Sequence, residues 1–157
     1  MKVVLAGAFG KLGSDILKEL VKQGHEVTAL DLITKDIPEI SGKYNAVKID
    51  VTKPETLKGV MNGAEAIIST VGLTGTSATI TNYDIDLNGN LNLLKEAKEA
   101  GIKHFSYVSV IKADSDPSVP MLHAKALFEK ELKNNLHRTW LMELTPEHIS
   151  GKFVNES

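Results

Sequence analysis

Gly7-Ala8-Phe9-Gly10-Lys11-Leu12-Gly13 constrains what this chain can fold into more than any other stretch. It follows Val3-Val4-Leu5-Ala6, a short apolar run that reads as a buried strand. It opens into Ser14-Asp15-Ile16-Leu17-Lys18-Glu19-Leu20-Val21, where Ile16, Leu17, Leu20 and Val21 fall on one helical face. A tight strand-to-helix turn needs glycine for its own geometry. The same order of elements also makes a phosphate cradle, because glycine lets backbone approach a ligand and a helix N-terminus offers unpaired N–H groups.

The segment after this helix favours the cradle. His25-Glu26-Val27-Thr28-Ala29-Leu30 reads as a second strand and ends at Asp31, completing one βαβ length. An acidic side chain at that point suits the ribose hydroxyls of an adenine dinucleotide. The spacing is G-x-x-G-x-x-G rather than G-x-G-x-x-G, which points away from the two-domain dehydrogenases.

Further along, Ala46-Val47-Lys48-Ile49-Asp50 reads as a third strand, preceded by a connection over Ile37–Gly42. Thr52 is expected to cap a helix that runs to Met61, with Pro54 in its first turn and Glu55 completing a capping box. Ala66-Ile67-Ile68-Ser69-Thr70 is a fourth strand, followed by a Gly72–Ser77 loop. Asn82 to Ala100 is the longest helical pattern, with Tyr83, Leu87, Leu91 and Leu94 as its apolar stripe and Gly101 as its stop. Gly89 inside it costs about 1 kcal/mol relative to alanine and implies a close neighbour, either packed protein or a ligand. His104-Phe105-Ser106-Tyr107-Val108-Ser109-Val110 is a fifth strand, Met121–Lys133 a final helix and Thr139–Met142 a sixth strand. The alternation predicts an α/β fold: a Rossmann-type doubly wound parallel sheet in the order 3-2-1-4-5-6, with helices on both faces. Gly7, Asp31, Asp50, Ser69 and Ser109 then fall at or near its carboxyl edge.

Bulk properties narrow the classes. The 157 residues suffice for one domain, expected to span 1–145 with a loosely ordered tail over 146–157. A net charge of −2 gives no reason to expect nucleic acid or an acidic membrane surface. With no cysteine, disulfides and thiol catalysis are excluded, and the five histidines show no metal-ligand spacing. Strand-like sequence from the start leaves no room for a secretory leader, and no apolar run has membrane-spanning length, so the expected location is cytoplasmic.

These patterns together resemble one superfamily. The glycine loop resembles the GATGxxG loop of atypical and extended short-chain dehydrogenases/reductases, in the NmrA-like and NAD-dependent epimerase/dehydratase-like group. Asp50-Val51-Thr52 is similar to the element of that family that lies against the adenine. Residues 91–105, from Leu91 through Ala100-Gly101 to Phe105, resemble its helix-to-strand stretch, and Lys125 with Glu129 resembles its lysine-bearing helix. The resemblance implies cofactor contacts from Gly7, Ala8, Phe9, Gly10, Lys11, Leu12, Gly13, Asp31, Asp50, Val51, Ser69, Thr70, Val71, Gly72 and Lys125. NAD is the preferred dinucleotide because Asp31 would repel a 2′-phosphate; Lys11 and Lys35 offset part of that repulsion and keep NADP open.

Catalysis is where the pattern breaks. The family's Tyr-x-x-x-Lys helix uses tyrosine as the proton donor or acceptor, with a serine or threonine on the fifth strand. Here the position four residues before Lys125 is Met121, and the usual serine position falls on Val110, one residue past Ser109. The remaining catalytic candidates are Lys125, Ser109 and His123, the last expected to point away from Lys125 into solvent. Tyr107 is expected to pack against a helix, and Asp84 and Asp86 to sit in solvent near a helix N-terminus. Relatives continue with a strand ending in Arg-Pro and a substrate-covering segment; here Glu143 or Leu144 stands near the arginine position, and a lid is expected to be largely absent. Two functions remain: a dinucleotide-binding protein without the usual chemistry, sensing redox state or regulating a partner, or an NAD(P)-dependent reductase, epimerase or dehydratase with unconventional acid/base groups. The expected partners are a dinucleotide, a small-molecule substrate or protein, and a second copy pairing through the helix that carries Leu87 and Leu91.

Overall fold

A computed structural model describes residues 1–75, 77–135 and 138–144, the last as backbone course. The proposed tail, residues 146–157, lies outside the described residues, as do the side chains of Glu143 and Leu144. In chain order the elements are β1 (Lys2–Ala6), α1 (Lys11–Lys22), β2 (Glu26–Asp31), β3 (Asn45–Lys48), β4 (Ala66–Ser69), a π-helical stretch Tyr83–Gly89 that continues into α2 (Asn90–Glu99), β5 (His104–Val110), α3 (Pro120–Asn135) and β6 (Arg138–Leu144). All strand pairs are parallel and the sheet order is β3-β2-β1-β4-β5-β6, the doubly wound order expected from the alternation.

Both faces of the central strand β1 are covered, so it reads as a continuous apolar run, whereas edge strand β3 is largely exposed. Alternate residues of β1 serve different layers. Leu5 joins Leu17 of α1 with Val27, Ala29, Ile37 and Ile40. Val4 and Ala6 join Leu93 and Ala97 of α2 and Phe128 and Leu132 of α3 on the other face. Because the strands run parallel, their carboxyl ends lie along one edge: Ala6 is in register with Leu30 and with Ser69, and Ser69 with Tyr107.

Two segments differ from the pattern read off the sequence. The helix expected from Thr52 to Met61 is only a single 3-10 turn, Pro54–Leu57. Thr52 does not cap it. Its N–H and Oγ1 instead donate to Asp50 Oδ1 at 2.9 and 2.6 Å, while Thr56 Oγ1 donates to the carbonyls of Asp50 and Lys53. The Thr56 side chain thus competes with the helical ladder, and Gly59 at φ 75° leaves the right-handed helical region. The long helix begins as a π-helix; of the expected Tyr83-Leu87-Leu91-Leu94 stripe, Leu94 is buried, while Tyr83, Leu87 and Leu91 stay half-buried. The buried set is Asp86, Gly89, Asn90, Leu93, Leu94 and Ala97. Gly89 answers to packed protein: a Cβ there would stand 2.7 Å from Val51 Cγ2.

Candidate functional site

The glycine loop continues directly from the end of β1. Gly7 N–H and Ala8 N–H both donate to the Leu30 carbonyl, at 2.9 and 3.2 Å, which ties the loop to β2. The side chains of Ala8 and Phe9 turn into the core, and the Phe9 ring packs 5.9 Å from that of Tyr44. These residues therefore present backbone, not side chains, to anything above the loop. Helix α1 starts at Lys11 with no side-chain cap and no acidic residue in its first turn. The N–H groups of Lys11, Leu12 and Gly13 have no acceptor among the described residues, as expected for a helix N-terminus without a cap.

The three glycines are required for different reasons. Gly7 adopts φ 79°, and a Cβ on it would strike Thr70 Oγ1; one on Gly13 would strike the Gly7 carbonyl oxygen. Those two are demanded by the fold. A Cβ on Gly10 would meet nothing nearer than the Gly7 carbonyl oxygen at 3.6 Å, and the residue is exposed at the start of the helix. Glycine at position 10 leaves open space beside N–H groups that have no acceptor among the described residues, an arrangement able to take an anionic group.

Around the loop stand the other residues singled out in the sequence. Asp31 is half-buried; its Oδ2 accepts Phe9 N–H at 2.9 Å and its Oδ1 accepts Leu32 N–H at 2.7 Å. The Phe9 bond ties the carboxylate to the glycine loop, and both oxygens keep lone pairs for further donors. Asp50 sits just past β3, and the Thr52 hydroxyl bonded to it holds its carboxyl below the usual carboxylate range. Thr70 donates through Oγ1 to the carbonyls of Ala6 and Gly7, both at 3.1 Å, so the segment after β4 clamps the glycine loop. Ser69 is fully buried and its hydroxyl is committed to Asn90 Oδ1 at 2.6 Å. Asn90 in turn donates to the Val71 carbonyl at 3.0 Å.

On the far side, Lys125 of α3 lies 2.7 Å from Asp86 Oδ1, with side-chain exposures of 12% and 1%. Oδ1 receives no well-directed hydrogen bond, so this contact is an ion pair and not a directed clamp. The expectation of a solvent-exposed Asp86 is therefore corrected. The helical phase set by Gly89, Asn90, Leu93 and Ala97 turns residue 86 inward. Asp86 and Asn90 are the residues that hydrophobic patterning passed over; their i, i+4, i+7, i+11 spacing with Leu93 and Ala97 was the available signal. His123 is also corrected. It is half-buried, not solvated, and its Nδ1 lies 2.9 Å from the Tyr83 hydroxyl. Tyr107 packs on Phe128 of α3 at 4.6 Å between ring centroids, as expected. The hydroxyls of Tyr107 and Ser109 are buried with no hydrogen-bond partner among the described residues. Met121 is half-buried and Val110 buried, so neither place expected to hold a hydroxyl offers one.

A family model described as NAD(P)H-binding matches residues 7–141. The chain belongs to the NAD(P)H-binding family. Among relatives of this NAD(P)H-binding chain is the photosystem II assembly factor Ycf39 of Synechocystis, 31% identical over 144 residues, which cover 90% of this chain and 44% of that protein. The chain spans less than half the length of the first curated relatives it matches. Among solved structures, the oxidoreductase ylbE from Lactococcus lactis superposes with a TM-score of 0.74 at 22% identity, over 91% of this chain and 68% of its own. A short-chain dehydrogenase/reductase superfamily protein from Agrobacterium tumefaciens with bound NAD gives 0.78 at 17% identity, over 91% and 48%. These two share the fold. No helix of the described residues is long and apolar enough to cross a membrane.

Proposed function

We propose that this chain holds NAD in preference to NADP, and that the bound dinucleotide serves as a regulatory or redox-sensing ligand. The glycine loop and helix α1 would hold the pyrophosphate, Asp31 the adenine ribose, and Asp50 with Val51 the adenine. Lys125 and the Thr70–Gly72 backbone would border the nicotinamide end. Bound there, the nicotinamide can accept or donate hydride. Met121 and Val110 stand where the family carries its tyrosine and serine, so the usual partners for that chemistry are missing from those two positions. The observation that carries the reading is at Lys125: its ammonium faces a buried carboxylate, and a thioether stands where the family places a proton-transferring phenol. The Synechocystis relative, named as an assembly factor, supports a role directed at a protein partner.

The NAD preference rests on Asp31, whose carboxylate accepts two backbone N–H groups, that of Phe9 tying it to the loop. A 2′-phosphate would be repelled there. Calorimetric titration should find NAD binding at least tenfold tighter than NADP, with Asp31→Ala narrowing the gap. Equal affinities in the native chain would sink the assignment.

A second reading is an enzyme with unconventional groups, and one contact favours it. Tyr83 and His123 form a phenol–imidazole pair at 2.9 Å, close enough to share a proton. Under that reading the native chain turns over a nicotinamide-dependent substrate and loses this on His123→Ala. Under the preferred reading there is no such turnover to lose, and Met121→Tyr combined with Val110→Ser creates some.

A further inference from the structure

Asp86 is the charged residue most deeply buried among those described, and no part of the proposed dinucleotide recognition uses it. Its surroundings are all donors. Oδ2 accepts Leu73 N–H at 3.1 Å and Asn82 Nδ2 at 3.0 Å, while Oδ1 faces the Lys125 ammonium. An ionised carboxylate is acceptor-only and fits such a set; an amide does not. Asparagine would have to turn its NH2 either toward the ammonium or toward the two N–H donors.

The space around the pair is equally specific. A Cβ on Gly72 would lie 2.8 Å from Asp86 Oδ1 and 3.1 Å from Lys125 Nζ, so the ion pair is seated against a bare backbone. That backbone is one continuous segment. At Thr70 it clamps the Gly7 carbonyl, at Val71 it accepts from Asn90, and at Leu73 it donates to Asp86. Asn90 also donates to the Asp86 carbonyl at 2.9 Å. The glycine loop and Lys125, on opposite sides of the site, are thus connected through residues 70–73, with Asp86 at the far end.

We propose that Asp86 is a positioning residue for the dinucleotide site: its buried carboxylate fixes Lys125 against Gly72 and sets the course of residues 71–73, and binding of NAD depends on it through Lys125. The proposal rests on the dinucleotide-binding reading of the site. A buried pair is weak evidence for stability, since apolar replacements are often neutral, so the test must read binding and not folding alone.

The experiment is a double-mutant cycle on NAD affinity, by calorimetry, with Asp86→Asn, Lys125→Met and both together, each at a temperature where circular dichroism shows it folded. Asp86→Asn should weaken NAD at least tenfold, and the double variant should bind about as weakly as Lys125→Met alone, because one residue acts through the other. Gly72→Ala, which keeps both charges and wedges a methyl against them, should also lose at least tenfold, and it carries the test if Asp86→Asn fails to fold. Native affinity in Asp86→Asn or Gly72→Ala overturns the proposal, as do losses that simply add in the double variant. A native chain that binds no NAD overturns the dinucleotide reading itself, an outcome distinct from the others.

Discussion

At the scale of single residues, the glycine loop separates what the fold demands from what a ligand demands. Gly13 lies so close to the Gly7 carbonyl that a methyl group forces backbone apart, whereas Gly10 has free room at an extended φ of −72° and ψ of 176°. Gly13→Ala should therefore cost about 2 kcal/mol or more of stability, in the range of overpacking a close contact. Gly10→Ala should leave the denaturation midpoint nearly unchanged, because the small gain from a stiffer unfolded chain offsets the small loss at an N-cap. Its effect should fall on NAD affinity. Urea titration and calorimetry on the two variants check this together: destabilisation of Gly10→Ala comparable to Gly13→Ala would refute the division of roles.

At the scale of elements, the long helix is where sequence and structure part most instructively. Its existence and its end at Gly101 were legible from periodicity, but its buried face was not. Hydrophobicity points to Tyr83, Leu87, Leu91 and Leu94, of which Leu94 alone is buried, while the other residues that turn inward include Asp86 and Asn90. Polar groups can occupy a core face only when partners are waiting, and those partners, Lys125, Leu73, Ser69 and Val71, come from distant parts of the chain. A linear pattern does not carry that information. The strands and the glycine loop were legible because β1, α1 and β2 follow one another directly, β1 being apolar on both faces and α1 on one. The helix expected from Thr52 to Met61 does not form because Thr52 bonds the Asp50 carboxylate and Thr56 bonds the backbone, both locally. Gly89 gives the element-scale prediction. Gly89→Ala should destabilise by about 1–3 kcal/mol through contact with Val51, and Val51→Ala should recover part of that loss by opening space. Thermal unfolding of the two single variants and the double variant measures the coupling; strict additivity would count against the contact.

At the scale of the whole molecule, two groups shape stability against pH in opposite directions. Burial, reinforced by the charges of Asp86 and Glu129, pushes the Tyr107 phenol above its ordinary value of 10.0. The folded state therefore holds that proton longer than the unfolded chain. Its contribution is complete below pH 10 and declines as the pH rises beyond it. Tyr107→Phe should flatten the alkaline loss of stability. At neutral pH it should be neutral or mildly stabilising, since no partner for the hydroxyl is lost. Asp50 works the other way: its lowered value adds stability above the ordinary carboxylate value of 3.8, lost as acid protonates it. Denaturation midpoints across the pH range, native against Tyr107→Phe, test the alkaline limb; unchanged steepness would show that burial of the phenol plays no part.

The sheet order carries one more consequence, for synthesis. Central strand β1 pairs with β2 on one side, but its other edge waits for Ala66–Ser69 of β4. As the chain emerges from a ribosome, the β1–α1–β2 unit can close early, while β1 keeps an open row of backbone donors and acceptors until residue 69 is free. The strand that leads into the glycine loop is thus an exposed edge of the nascent chain, and slow elongation before residue 69 lengthens the interval in which a wrong strand can pair there.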